Sequence, residues 1–397
     1  MERGLDKQSS FLSPKRVLII TKVPQDEIKS PTFGGSRLVK ELYKQIVMKG
    51  FQVYLSSVFD LNTLSARLLR IKGEKTSRLG IRLFLKIDRL RWFLSLLNSL
   101  VAEIASRIDV KLQKEIEMKM NEIKPDVILY NGSIGAFAFL RVAKRRNIPF
   151  IVLEHNVDYY FYKDKLGCYH PLISIYKVIE LTACKAADLI ICFNPYDRER
   201  LAKDGVSSEK IIVWKFNVRA EKGCDKEKVL NSIPSDIRRY VENNFVVGFL
   251  GSNYTPNIVA VKYILKIAEK LPKDIVFLIM GSVAEVFKGT KTPSNVIFTG
   301  YIKNVKPYLA VTDVFLNLKF TSDTGIEAKM FDYLSCGKPI ISTRIGAVGF
   351  EHSPNVIIVN NLRDAVREII RLYKEWRAKI KYRTYELVLV SIHGEDL

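Results

Sequence analysis

The sequence predicts an α/β protein made of two doubly wound parallel sheets in tandem. Three observations carry this. Short runs rich in Val, Ile and Leu recur along the chain, segments with helical spacing separate them, and the series stops and restarts around a charged stretch, Lys222–Asn244. Unbroken apolar strands alternating with helices belong to parallel sheets covered on both faces.

The first strand is Arg16–Thr21 (RVLIIT). A loop with Pro24, Pro31, Gly34 and Gly35 follows, then a helix from about Arg37 to Lys49 and a strand at Gln52–Ser56. Asp126–Tyr130, Phe150–Glu154, Asp188–Phe193 and Lys210–Trp214 continue the set. Lys222–Asn244 lacks a strand pattern and reads as a connector with one or two short helices. The second set is Phe245–Gly251, Ile275–Gly281, Val296–Thr299, Asp313–Leu318, Pro339–Thr343 and Val356–Val359. A long basic amphipathic helix, Arg363–Lys381, comes last. The expected domains are 1–216, with a basic amphipathic insertion at about 60–105, and 217–374, with 375–397 packing back on the first. Ligands of such sheets bind at the carboxyl ends of the strands, so two domains facing a cleft suit two substrates.

Of the 397 residues 48% are apolar, enough for large cores. The net charge is +21, from 63 Lys and Arg against 42 Asp and Glu. That excess implies a polyanionic partner: nucleic acid, anionic lipid or a phosphorylated substrate. The five cysteines are scattered with no C-x-x-C pair, which argues against a disulfide framework or zinc and fits a reducing cytosol. The four histidines show no metal-ligand spacing. The N-terminus lacks the apolar core of a signal peptide. The longest apolar run, Trp92–Ala105, is interrupted by Asn98 and Glu103 and is too short to span a bilayer.

The stretch Asn295–Phe350 carries the most chemistry. Between two of its strands lies a polar turn, Thr321–Gly325, which is expected to open a helix bearing Glu327, Lys329 and Asp332. A helix start presents unpaired N–H groups and the positive end of the dipole, an anion site. Lys329, one turn into that helix, would reach the same anion, whereas Glu327 reads as an exposed carboxylate.

Five motifs stand in order along the second half: Phe249–Asn257 (FLGSNYTPN), Asn295–Tyr301 (NVIFTGY), Pro307–Leu316, the element with Gly325, Lys329, Asp332, Tyr333, Leu334, Gly337, Lys338, Pro339 and Thr343, and Ile345–Phe350 (IGAVGF). Together they resemble the GT-B glycosyltransferases, in particular the large retaining family 4. The resemblance runs in order from Phe249 to Phe350. Two departures stand out: Thr324 and Asp332 occupy the positions of the family's paired glutamates, and Ser252 and Asn253 stand where many members carry Arg and Lys.

The resemblance implies a donor-binding second domain and an acceptor-side first domain. Gly251, Ser252 and Asn253 would line the donor loop. Lys329 and the backbone N–H groups of Thr324, Gly325 and Ile326 would meet the donor diphosphate, where fixed donors lower the barrier as charge builds on the leaving group. Asp332 would accept from ribose hydroxyls, and the Gly300–Tyr301 turn would lie against the base. In the first domain, Gly34 and Gly35 follow the first strand, where backbone can approach a substrate closely; alone, such a pair marks only a turn. Glu154-His155-Asn156-Val157-Asp158 resembles the family's E-H-N-V-E/D element, with His155 on the transferred sugar or, alternatively, as a structural cap of the strand end. No D-x-D sequence occurs, so no metal and no other cofactor is expected.

The stretch Arg67–Trp92 holds nine Lys and Arg against two acidic residues, beside an apolar stripe of Leu79, Leu83, Ile87, Leu90, Leu94 and Leu97. That pattern describes a helix lying on anionic lipid, or a core-packed helix with a solvated basic face. The leading expectation is transfer of a sugar from a nucleotide-sugar to a lipid-linked or glycan acceptor at the cytoplasmic membrane face, with retention. The alternatives are a GT-B epimerase, which would need acid and base side chains, and a nucleic-acid-binding protein. Against the last, no nucleic-acid motif is present and the basic residues alternate with aliphatics rather than with stacking aromatics, so no nucleic acid partner is expected.

Overall fold

The computed structural model describes residues 16–22, 34–58, 88–166, 171–218, 220, 226–320 and 325–393. The chain divides into two compact units, one of Met1–Phe216 with Asp323–Ile326, the other of Asn217–Ser322 with Glu327–Leu397. Of the basic stretch Arg67–Trp92, residues 67–87 lie outside the described residues, as does Thr324.

The first unit is a six-stranded, all-parallel sheet. Its elements are β1 (Arg16–Thr21), α1 (Gly34–Met48), β2 (Gln52–Ser57), α2 (Asp88–Ile108), α3 (Val110–Ile123), β3 (Val127–Asn131), α4 (Ala136–Arg145), β4 (Phe150–Glu154), α5 (Asp158–Leu166), α6 (Pro171–Ala186), β5 (Leu189–Cys192), α7 (Pro195–Lys203) and β6 (Ile211–Val213). The strand order is β2-β1-β3-β4-β5-β6. Leu18, Ile20, Ile128, Tyr130, Phe150 and Val152 are buried among Leu96 and Leu100 of α2, Phe139 of α4 and Tyr176 of α6. Short-range signals set several ends: Asp109 caps α3 by accepting from the Leu112 N–H at 2.9 Å, and Asn194 caps α7 ahead of Pro195. Trp92 packs edge-on against Phe161 at 4.9 Å, so it belongs to the core rather than to a lipid-facing stripe. Leu94, Leu97, Val101, Ile104 and Ile108 of α2 are exposed.

The second unit repeats the plan. Two short helices, α8 (Lys226–Val229) and α9 (Ser235–Val241), form the connector. There follow β7 (Phe245–Leu250), α10 (Thr255–Lys270), β8 (Ile275–Met280), β9 (Val296–Gly300), α11 (Lys306–Val311), β10 (Val314–Asn317), α12 (Lys329–Ser335), β11 (Ile340–Thr343), β12 (Val356–Val359) and α13 (Leu362–His393). The parallel order is β12-β11-β10-β7-β8-β9. Trp376 and Tyr373 of α13 pack on Phe245, so this part of the C-terminal helix serves its own unit. From residue 381 onward the expected packing on the first domain lies outside the described side chains. No helix among the described residues is long and apolar enough to cross a membrane.

In each sheet the strand order reverses once, between β1 and β3 and between β7 and β10. There the connections leave in opposite directions and their loops part, so ligands of open parallel sheets bind at that point.

Candidate active site

In the second unit, the chain leaving β7 is tied down by its neighbours. The Gly251 N–H donates to Met280 O at 2.9 Å, the Val283 N–H to Gly251 O at 3.1 Å, and the Asn253 N–H to Ser282 Oγ at 3.0 Å. Gly281 makes this approach possible. Its φ is +94°, and a Cβ there would lie 2.4 Å from the Gly251 oxygen. Asn257, at the start of α10, donates from Nδ2 to Ser252 O at 3.1 Å. Gly251, Ser252 and Asn253 thus form one braced loop at the end of β7.

Helix α12 is fastened beside that loop. Tyr333 is fully buried, stacks on Phe315 of β10 at 4.3 Å, and accepts the Leu250 N–H at 2.7 Å through its hydroxyl. One turn earlier, Lys329 donates from Nζ to Asn257 Oδ1 at 2.8 Å and lies over the Phe249 ring at 4.6 Å. Its ammonium also pairs with Glu327 Oε2 at 3.4 Å. Lys319, just past β10, pairs with Glu327 Oε1 at 2.7 Å. Burial would raise the Glu327 pKa, but the charges of Lys329 and then Lys319 overcome it and hold the carboxyl at about 2.

These contacts correct several expectations. Helix α12 begins at Lys329, not at Gly325, so Lys329 is its first residue. The Gly325 N–H donates to Asp197 Oδ2 at 3.0 Å, which removes it as a donor to an anion. Gly325 and Ile326 therefore form no helix start. Glu327 is not an exposed carboxylate but the link between two lysines. Asp332 sits half-buried inside α12. The Gly300–Tyr301 turn lies at the end of β9, with Gly300 O accepting from the Gly281 N–H at 3.0 Å and Tyr301 67% exposed. Lys319 escaped the sequence reading because no local pattern marks it; only the spacing K-x7-E links it to Glu327.

In the first unit, Gly34 and Gly35 open α1, so they belong to its first turn rather than to a loop. His155 follows β4. Its Nε2 bonds to Asn131 Oδ1, and Asn131 Nδ2 donates to Thr21 Oγ1 at 3.0 Å. This chain links the ends of β1, β3 and β4 at the reversal point. Burial is the main cause that lowers the His155 pKa to about 4, Asp158 opposing and Lys22 reinforcing it, so the ring is neutral near pH 7. Glu154 beside it is buried and raised to about 8, by burial first and then by Asp158. Asp197, buried in α7, accepts from the Gly325 N–H, while Asn194 Nδ2 donates to Gly325 O at 3.2 Å. Gly325 has φ +82°, and a Cβ there would fall 2.0 Å from Asn156 Oδ1. Among the described residues no group of three or more His, Cys, Asp or Glu could hold a metal ion.

The second unit's arrangement has a definite chemical capability. A lysine held by Asn257 and an aromatic face needs little reorganisation to meet negative charge developing at the strand ends. A neutral histidine at the first unit's reversal point is suited to hydrogen bonding rather than to carrying charge.

Comparison with known proteins gives this geometry a context. Residues 34–215 match the family model described as Glycosyltransferase Family 4, and residues 244–375 the model described as Glycosyl transferases group 1. The chain is similar to the chitobiosyldiphosphodolichol beta-mannosyltransferase of Debaryomyces hansenii, at 26% identity over 272 residues, covering 60% of this chain and 57% of the relative. The match thus spans a little over half of that curated relative's length. Among solved structures, Anabaena HepE in complex with UDP and glucose aligns with a TM-score of 0.54 at 12% identity, covering 89% of each chain. Sucrose-phosphate synthase from Thermosynechococcus elongatus aligns with a TM-score of 0.55 at 14% identity, covering 96% of this chain and 98% of that one. At such identities the structural likeness establishes the fold, two parallel sheets of the GT-B kind.

Proposed function

Since the chain belongs to the GT-B glycosyltransferases, a family 4 region followed by a group 1 region, we propose that it moves a sugar from a nucleotide-sugar to a glycan carried on a lipid diphosphate. The observation that carries this reading is Lys329, fixed between Asn257 and the Phe249 ring where the second sheet reverses its order. There its charge stabilises the departing diphosphate. Gly251, Ser252 and Asn253 line the same donor site, Asp332 accepts from the ribose, and Tyr301 lies by the base. In the first unit, His155 and the α1 start at Gly34 and Gly35 serve the reacting sugar.

The acceptor class is supported by the name of the Debaryomyces relative, whose substrate is a chitobiosyl group on diphosphodolichol. Action at the cytoplasmic membrane face is supported by the basic run 67–91 and by the exposed apolar residues of α2 that follow it. The reaction is proposed to need no divalent cation, so turnover should survive chelation by EDTA.

Retention is the course that the family pattern implies. A second course, inversion, is favoured by the relative's β-mannosyl product if the donor is α-linked. The one-bond C1–H1 coupling at the product's anomeric carbon separates the two.

The test is a panel of nucleotide-sugars scored by thermal shift, followed by transfer to polyprenyl-diphosphate glycans. A ligand at about 100 times its Kd adds about 2.7 kcal/mol to native stability, so the right donor raises the melting temperature measurably. No shift with any donor, together with no transfer, would overturn the proposal.

A further inference from the structure

Two lysines from different elements meet on one carboxylate in the second unit. Lys319 extends from the end of β10 and Lys329 opens α12; Glu327 receives the first on Oε1 at 2.7 Å and the second on Oε2 at 3.4 Å. All three side chains are at least four-fifths buried, at 8%, 10% and 19% exposure. Lys319 is also fixed through its backbone. Its N–H donates to Thr343 Oγ1 at 3.1 Å, and its carbonyl accepts from the same hydroxyl at 2.6 Å.

Burying three ionised groups is costly, and apolar side chains of similar volume would often stabilise a fold as well. An ionic cluster at the strand reversal, where ligands bind, is therefore better explained by the ligand than by the fold. A diphosphate carries more than one negative charge, and a single lysine answers only part of it.

We propose that Lys319 is a second donor-binding cation, and that Glu327 is the positioning residue that holds Lys319 and Lys329 side by side for the donor diphosphate. This rests on the glycosyltransferase reading of the site. The looser arm, from Glu327 to Lys329, is the one that a diphosphate oxygen replaces. The tighter arm keeps Lys319 oriented while Asn257 steadies Lys329.

The experiment is calorimetric binding of UDP, GDP, ADP and dTDP, and of the matching nucleosides, to wild type, Lys319→Met, Lys319→Arg and Glu327→Gln. Wild type is expected to bind at least one diphosphate. Lys319→Met should weaken that binding by about tenfold, the usual weight of a charge-assisted hydrogen bond, while nucleoside affinity changes less than twofold. Lys319→Arg should recover most of the loss. Glu327→Gln should raise the donor KM more than it lowers kcat. If Lys319→Met does not fold, Lys319→Met/Glu327→Gln removes both charges together and should show the same selective loss. Wild-type diphosphate affinity in the Lys319 variant, or equal losses for nucleoside and diphosphate, would overturn the proposal and leave the glycosyltransferase reading standing. If wild type binds none of the diphosphates, both fall.

Discussion

Lys329 Nζ donates to Asn257 Oδ1 at 2.8 Å, joining the first residue of α12 to the start of α10 across the end of β7. The two residues are 72 positions apart in sequence, and the bond fixes the ammonium of a side chain that would otherwise sample many rotamers. A pre-placed cation is what a charge-developing reaction requires.

Lys329→Ala should lower transferase turnover by roughly tenfold or more through lost stabilisation of the leaving diphosphate. Glu327 keeps Lys319 as a partner in this variant, so the fold should persist. Steady-state rates and a circular dichroism melt check both statements. A wild-type rate would place the diphosphate elsewhere.

Tyr333→Phe should keep the stack on Phe315 and lose only the acceptor of the Leu250 N–H. Leaving that buried donor without its partner should cost about 1–3 kcal/mol. Urea unfolding measures it. An unchanged midpoint would mean that the hydroxyl contributes nothing to anchoring α12.

Glu154→Gln should change the pH dependence of stability. The folded state holds the Glu154 pKa at about 8, above its ordinary value, by burial and then by Asp158. Its stabilising contribution is full below about pH 4.5 and is lost as pH rises toward 8. The variant lacks this loss, so its melting temperature relative to wild type should climb steadily between pH 5 and pH 8. A constant difference across that range would refute the assignment.

Gly325→Ala should destabilise by about 2 kcal/mol or more, because φ is +82° and the new Cβ would strike Asn156 Oδ1. Gly289→Ala is the control. It has φ +76° with nothing within 4 Å of the added Cβ, so it bears the backbone strain alone. Equal losses in the two variants would show that the Asn156 contact does not constrain Gly325.

Much of the fold was legible because it is written locally. Runs such as Val17–Ile20 and Ile275–Met280 are apolar at every position, as strands covered on both faces must be, and their predicted limits fall within a residue or two of the observed ones. Two motifs of the second unit were legible for a similar reason: Gly251–Asn257 and the segment around Lys329 each keep a fixed local spacing.

What the sequence determined by itself was the two parallel α/β sheets, the family, and Lys329 as the residue of interest. Only the tertiary structure decided what surrounds that lysine. Asn257 and Phe249 reach it from a segment more than 70 residues earlier, and no local pattern records such a meeting. The same holds for Gly325. In sequence it resembles a helix start, yet a buried carboxylate at Asp197 takes its N–H, because a buried acceptor is stabilised by any donor the fold brings within reach. Periodicity reports which face of an element is buried. Which ionised groups share that burial is settled by how the chain folds back between elements, and at this site the return from β10 into α12 turned a single lysine into a lysine pair held by Glu327.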